Sequence, residues 1–420
     1  MELTAADRDV LGGGGGEGAA LAMRLVVALG GATGADRLID VGSAHVDGCL
    51  YHGQVSLDFA ERLAEAGGRV RIPTTLNVGS VDLIHPELFR GDEETAHRGR
   101  RLMELYVGMG CRPTFTCAPY QLPTRPAFGE HVAWAESNAI VFANSVLGAR
   151  TERYGDFIDI CAAITGRVPD AGLHRSEHRA GEILFRLDGI PQRLLADRVL
   201  FPLVGHVVGA RTGARVPVID GLPSSADEDD LKALGAAAAS SGSVALFHAV
   251  GATPEAPSLE VAFGGREPAD VLSITAGDLR EARDSLSTAS GDRLDAVSIG
   301  TPHLSIRELE RLVELLDGVR FHPDVQVYAS MGRDTLAAAE ARGWLPVFEH
   351  AGLRLLVDTC TYVTRIIPGT GAVVMTDSAK WAYYAPGNIG ARVVFGSLEE
   401  CLRSAAAGGV RRDERLWSDR

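Results

Sequence analysis

The order of the second half of the chain constrains its fold more than any other feature. Short apolar runs at 244–248, 271–275, 295–300, 325–330, 354–360 and 373–376 alternate with amphipathic stretches. Helices are expected between them, for example at 278–287, 306–316 and 335–343. The stretch 306–316 opens with a capping box, Ser305 with Glu308 three residues on. Leu309, Leu312, Leu315 and Leu316 then share one face. Strands that are apolar throughout, alternating with helices, predict parallel sheets covered on both faces. The first half repeats the habit less regularly, with strands expected at 37–41, 69–72, 113–116 and 139–144. A leading helical segment, 3–30, is interrupted by five glycines, Gly12 to Gly16. No apolar strand precedes them and no Gly-Lys-Ser/Thr closes them, so they predict a flexible turn rather than a phosphate loop. The acidic stretch 224–230 joins turn residues to a fresh helix start. It predicts a boundary between an N-terminal α/β lobe, 1–223, and a C-terminal α/β lobe, 224–420.

Composition excludes several classes of function. Hydrophobic residues at 46% and charged residues at 23% rule out a wholly disordered chain. A formal charge of −14 argues against nucleic acid or an anionic membrane as the main partner. No uncharged apolar run reaches the ~18–20 residues that span a bilayer. The N-terminus also lacks the basic-then-apolar layout of a signal peptide. Six cysteines among 420 residues are too sparse for a disulfide scaffold, so they read as free thiols or metal ligands. The expectation is a soluble cytoplasmic enzyme.

In parallel sheets, ligands gather at the carboxyl ends of the strands. Polar or reactive residues recur at the positions expected to be such ends. In the first half these are Ser43, His45, Thr74, Thr75, Asn77, Cys117, Asn144 and Ser145. In the second they are His248, Thr275, the Thr301-Pro302-His303 turn, Ser330, Cys360 and the turn 377–380. Together they predict a cleft between two α/β lobes. No CxxC spacing joins Cys117 to Cys360, so a metal site there must be assembled from distant loops; otherwise each is a small buried hydrophobe. Cys161 and Cys401 fall in apolar helical stretches and read as core, while Cys49 and Cys111 stay open. His45 and His303 read either as hydrogen-bonding loop residues or as proton carriers and ligands. Arg150, beside Gly148, is either a carboxylate-gripping cation or a surface residue at a helix start. Lys380, following Thr376 and Ser378, suits a second anion contact.

Several of these strings together resemble one family. In the first half they are Gly42-Ser43-Ala44-His45-Val46-Asp47-Gly48, Pro73-Thr74-Thr75-Leu76-Asn77, Thr116-Cys117-Ala118-Pro119-Tyr120, Glu136-Ser137-Asn138 and the run from Asn144 to Thr151. In the second they are Pro302-His303, Asp358-Thr359-Cys360 and the run from Met375 to Lys380. In this order, from about residue 3 to about residue 408, they resemble the large subunit of aconitase X.

The resemblance implies an aconitase-like architecture of two or three α/β domains, with largely parallel sheets around a central cleft. It implies that the swivel domain lies on a separate small subunit. It also implies an iron-dependent dehydratase acting on a small hydroxy acid. The first expectation is cis-3-hydroxy-L-proline, yielding pyrroline-2-carboxylate; the alternative is mevalonate 5-phosphate. Cys117 and Cys360 match two cysteines that hold iron or an iron–sulfur cluster in the family. Thr301 stands where a third cysteine is common, so His303 or Cys49 becomes the candidate further ligand. Ser43, His45 and Lys380 are expected to be catalytic. Asn77, Asn138, Ser145, Arg150 and Ser378 are expected to bind substrate, with the base a serine of the small subunit. A non-catalytic, iron-responsive RNA-binding protein is the reading from another class, and the −14 charge opposes it.

Overall fold

The computed structural model, which describes residues 1–418, divides at Ala180/Gly181 rather than at 223/224. One unit holds Met1–Val81 and Asp92–Ala180; the other holds Asp82–Gly91 and the chain from Gly181 onward. The boundary expected at 223 fails because strands on both sides of it share one sheet, which a cut there would split.

In the first unit the strands are β1 (Leu38–Asp40), β2 (Ala44–Val46), β3 (Thr74–Leu76), β4 (Ala133–Trp134) and β5 (Arg167–Pro169). A parallel sheet has the order β3-β2-β4, and β1 pairs antiparallel with β5. The five glycines form the expected turn between the helices Ala5–Leu11 and Glu17–Ala32. The strand expected at 139–144 is instead the helix Ser137–Ser145, whose start the Glu136 carboxylate caps at Ala139 N, 2.8 Å away. Asn138 through Ser145 are all buried, and a helix buried on every side lacks the 3.6-residue periodicity that separates it from a buried strand. Residues 69–72 and 113–116 form no strand. Arg112 N and Thr116 N still bond the carbonyls of Thr74 and Leu76, at 2.9 and 3.1 Å, so this segment runs beside β3.

The second unit follows the expected rhythm. Strands β6 (Ile183–Leu187), β7 (Pro217–Asp220), β8 (His248–Ala249) and β9 (Asp270–Ile274) form a parallel sheet in the order β8-β7-β6-β9. The next five are β10 (Ala296–Leu304), β11 (Gln326–Met331), β12 (Leu353–Leu356), β13 (Val373–Thr376) and β14 (Arg392–Phe395). They pair in parallel in the order β12-β11-β10-β13-β14. In the connections from β6 to β7 and from β7 to β8, the helices Leu200–Thr212 and Glu228–Gly242 pack closely enough that a side chain at Gly209 would meet the backbone of Ala238. The capping box of the helix Ile306–Leu315 is formed in both directions, at 3.1 Å to Glu308 N and 2.8 Å to Ser305 N. Its Leu309 and Leu312 enter a core with Val327, Met375 and Leu402.

Leu312 is 1% exposed. Leu312→Ala is expected to lose about 2–5 kcal/mol. Denaturant unfolding should show a lower midpoint at unchanged slope, and an unchanged midpoint would contradict this packing.

Candidate metal centre and active site

In the second unit the carboxyl ends of β10, β12 and β13 carry the reactive groups. β10 runs through Gly300, at φ +85°, and a cis Thr301–Pro302 peptide to His303. A Cβ at Gly300 would run into the main chain of Ser330, so β10 and β11 can approach this closely only with glycine there. His303 is fully buried, and its Nε2 lies 3.3 Å from the Thr359 carbonyl. A carbonyl only accepts, so the ring proton sits on Nε2 and Nδ1 keeps the lone pair a metal needs. A ring nitrogen of His303 and the Cys360 sulfur lie within 4.8 Å of each other.

The Cys360 loop is braced on its approach. Asp358 takes a bidentate ion pair from Arg333, at 2.5 and 2.7 Å, and accepts Leu83 N at 3.1 Å. Asp82 accepts Val357 N at 2.9 Å. Beneath the His303 turn, the buried Lys232 pairs with Asp229 at 3.2 Å and with Glu308, and reaches the His303 carbonyl at 3.4 Å. Ser378 donates to the Thr301 carbonyl and accepts Trp381 N at 3.1 Å. It therefore positions the turn. Lys380, in the first turn of the helix Ala379–Ile389, is 3% exposed.

In the first unit the carboxyl edge of the β3-β2-β4 sheet carries Asp47, Asn77 and the loop with Cys117. Asn138 donates from Nδ2 to the Cys117 carbonyl at 2.7 Å and to Glu136, and its Oδ1 accepts Tyr120 OH at 2.5 Å. Every polar atom of that amide is used within the protein, so Asn138 holds the Cys117 loop rather than a substrate. Asn77 donates to Asp47, while its Oδ1 is buried without a partner. Burial, reinforced by the charges of Asp156 and Glu136, pushes the Asp47 carboxyl up to about 8, leaving it protonated at neutral pH. Cys49 is committed as a donor to the Asn77 carbonyl at 3.0 Å, and burial pushes its thiol up. It is therefore a poor stand-in for a missing ligand.

Three functional loops share one strained habit. Phe115, Glu136 and Asp358, at φ +41°, +74° and +60°, each stand two residues before Cys117, Asn138 and Cys360. Non-glycine residues in this region cost about 1–3 kcal/mol each and persist where the surrounding structure enforces them, commonly at functional sites. In the second unit His303 and Cys360 form a buried imidazole–thiol pair able to ligate a metal, and in the first unit Cys117 is a buried thiol at the carboxyl edge of its sheet. Thiolate with imidazole suits iron, and in the same unit as that pair the buried oxygens of Thr301 and Ser330 lack a hydrogen-bond partner.

Other expected site residues sit elsewhere. Ser43 precedes β2 and lines a cavity of about 210 Å³ at the amino edge of that sheet, with Thr74 and Arg112. Arg150 pairs with His131 at that same edge and spends Nη1 on the His174 carbonyl at 2.9 Å. Pro119, two residues after Cys117, lines that same cavity, so the cavity reaches from Ser43 to the Cys117 loop. Ser145 ends the helix Ser137–Ser145, a helix length away from Asn138. His45 lies within β2, fully buried, its Nδ1 2.8 Å from Thr75 Oγ1. Burial pulls its imidazole down to about 3, too weak a base to remove a carbon-bound proton. Asp47 and Asp358 lie inside the strings shared with the family and were recognisable by that place; Asp82 and Arg333 carry no sequence signal.

Burial also holds His303 at about 4 and, helped by His131, His174 at about 3. Unfolded, all three histidines titrate near 6.5. The unfolded chain therefore binds more protons below that pH, and stability present above it is lost as pH falls toward 4. The slope reaches about 4 kcal/mol per pH unit if His45, His174 and His303 all contribute. Thermal melts of metal-free protein from pH 7 to 5 should fall steeply; a flat melting temperature would contradict the buried neutral imidazoles.

Profiles of the aconitase X first, second and third domains match residues 1–177, 181–284 and 294–407. A cis-3-hydroxy-L-proline dehydratase of Pseudomonas aeruginosa is 43% identical over 412 residues, covering 97% of this chain and 70% of that protein. The enzyme of that name from Hypocrea jecorina is 41% identical, covering 97% and 69%. The phosphomevalonate dehydratase large subunit of Methanothermobacter thermautotrophicus is 37% identical, covering 92% and 94%. The crystal structure of Thermococcus kodakaraensis aconitase X in its holo-form superposes with a TM-score of 0.86 at 33% identity, over 96% of this chain and 100% of that one. Three domain profiles in register and relatives of this identity establish the family: the chain belongs to aconitase X.

Proposed function

We propose that this chain is the large subunit of an iron-dependent hydro-lyase that dehydrates cis-3-hydroxy-L-proline to pyrroline-2-carboxylate. The observation that carries the reading is the buried His303–Cys360 donor pair of the second unit, on a chain 43% and 41% identical to dehydratases of that name, with Cys117 of the first unit as the proposed third ligand. Mevalonate 5-phosphate is the alternative substrate, represented by relatives at 37% identity and below. A small swivel-domain subunit is the proposed partner, because relatives named large subunits are matched over 94% of their length or more. Six free, buried cysteines accord with a reducing, cytoplasmic location. No helix among the described residues is long and apolar enough to cross a membrane.

In the proposed reaction a base takes the proton from C2, and the C2–H electron pair becomes the C2=C3 double bond as hydroxide leaves C3. The enamine then gains a proton at C3 and loses one from nitrogen, giving the imine. Bound iron supplies the Lewis acidity that stabilises the departing hydroxide. Lys380 neutralises the substrate carboxylate, since its cation lies buried at the carboxyl edge that carries His303 and Cys360. The side-chain Oδ1 of Asn77 accepts a hydrogen bond from the substrate. With His45 too weak a base, the base is the serine expected on the partner subunit.

The test is anaerobic co-purification with the small subunit, followed by assay of both substrates. Turnover of cis-3-hydroxy-L-proline is expected; turnover of mevalonate 5-phosphate alone would transfer the assignment to the alternative. Cys117→Ala, His303→Ala and Cys360→Ala should each lose iron and at least about 10²-fold in kcat. Retention of full iron by any of them would remove that residue from the ligand set.

A further inference from the structure

The carboxyl edge of the β3-β2-β4 sheet holds an acid whose charge the protein itself does not use. Asp47 follows β2 directly and is partly exposed. After burial itself, the charges that act on it most strongly are those of Asp156 and Glu136, with Asp159 also contributing, and all three are anionic. Glu136 is spent on the helix start at Ala139 N and on Asn138. Asp159 is spent on the turn backbone, accepting Asp47 N at 2.7 Å and Gly48 N at 3.2 Å. Asp47 differs. One of its oxygens accepts Asn77 Nδ2, and the other accepts no hydrogen bond from the described residues.

That single bond does not need an acid. An asparagine at position 47 would accept Asn77 Nδ2 through its own side-chain oxygen and add no charge. Burial and then the neighbouring anions raise the Asp47 carboxyl to about 8, so ionising it in the empty site is unfavourable. A cation carried in by a ligand reverses this, because an opposite charge within ~4–6 Å favours the ionised form. The acceptor is also held in place beforehand. Asp159 fixes the turn, and Asn77, 3% exposed with its Oδ1 unpartnered, is aimed at Asp47 through its amide.

The two candidate substrates differ in this charge. The first, cis-3-hydroxy-L-proline, carries a secondary ammonium with two N–H donors. Mevalonate 5-phosphate carries a carboxylate and a phosphate and no cation. We propose that Asp47 is the specificity-determining residue: the free oxygen of its carboxylate accepts an N–H from the ring ammonium of the substrate. As the ammonium enters, Asp47 releases its proton to solvent and the ammonium keeps both of its own. A hydrogen bond between two ionised groups is among the stronger kinds, and the same anions oppose a phosphate. This rests on the dehydratase reading and narrows its substrate class to hydroxy acids bearing an α-ammonium.

The test uses two ligands without the leaving hydroxyl, so neither can be dehydrated. L-Proline has the ammonium, and cyclopentanecarboxylate is a ring acid of the same size without it. Calorimetric titration of the iron-loaded two-subunit complex should give L-proline a Kd lower by about 10–100-fold, the scale of one hydrogen bond to a charged group. In Asp47→Asn that preference should shrink to a few-fold, while the Kd of cyclopentanecarboxylate stays within a few-fold of wild type. Iron per chain should be unchanged. Equal affinity of the wild type for the two ligands overturns the inference, as does a full preference retained in Asp47→Asn. Loss of iron in Asp47→Asn makes the residue a support of the metal loops and overturns it too. The wild-type comparison decides alone if the variant does not fold. A complex that prefers L-proline yet turns over neither hydroxy acid fails the dehydratase reading and leaves the ammonium contact standing, a distinguishable result.

Discussion

The structure depends on taking two thiols and an imidazole out of water. Burial holds His303 well below the usual histidine range and so keeps its ring neutral, which is the state a metal ligand requires. The proton on Nε2 is tied to the Thr359 carbonyl, one residue before Cys360, so one short segment both orients the imidazole and presents the thiol. Around this, the Asp358–Arg333 pair, Asp82 and the Lys232 triad hold the loops. Burying those charges has a cost that only good pairing offsets, and each is paired.

The first unit does the same with neutral groups. Asn138 saturates its hydrogen-bonding capacity between Tyr120, Glu136 and the Cys117 carbonyl, and Phe115 is held in a conformation aromatic residues avoid. A rigid, strained loop loses little further freedom when it binds a ligand, so the strain is offset by preorganisation.

Much of the second unit was legible because its strands are long and apolar. β13 lies at 373–376 and β9, β10 and β11 lie within a few residues of expectation. The first unit was harder, since its strands run to only two or three residues and its buried helix Ser137–Ser145 has no polar face to betray its period. The misplaced site residues share one cause. Ser43 was expected to follow a strand, but it precedes β2, which begins at Ala44. Reading one strand where there are two placed Ser43 after a strand instead of between β1 and β2. Arg150 was misplaced for a related reason, because the segment before it folds back as a helix to the edge where His131 enters. Cys117, His303 and Cys360 could be named from strings shared with a family, whereas the unsatisfied hydroxyls and the Asp82 brace arise only from three-dimensional contacts.

The central claim, iron held by mixed sulfur and imidazole ligation, is tested most directly by pulsed electron paramagnetic resonance on reduced, iron-loaded complex grown with ¹⁵N-histidine. The account predicts a directly coordinated histidine nitrogen, whose strong hyperfine coupling responds to the label. A spectrum with only weak, remote nitrogen couplings would mean ligation without His303 and would contradict it.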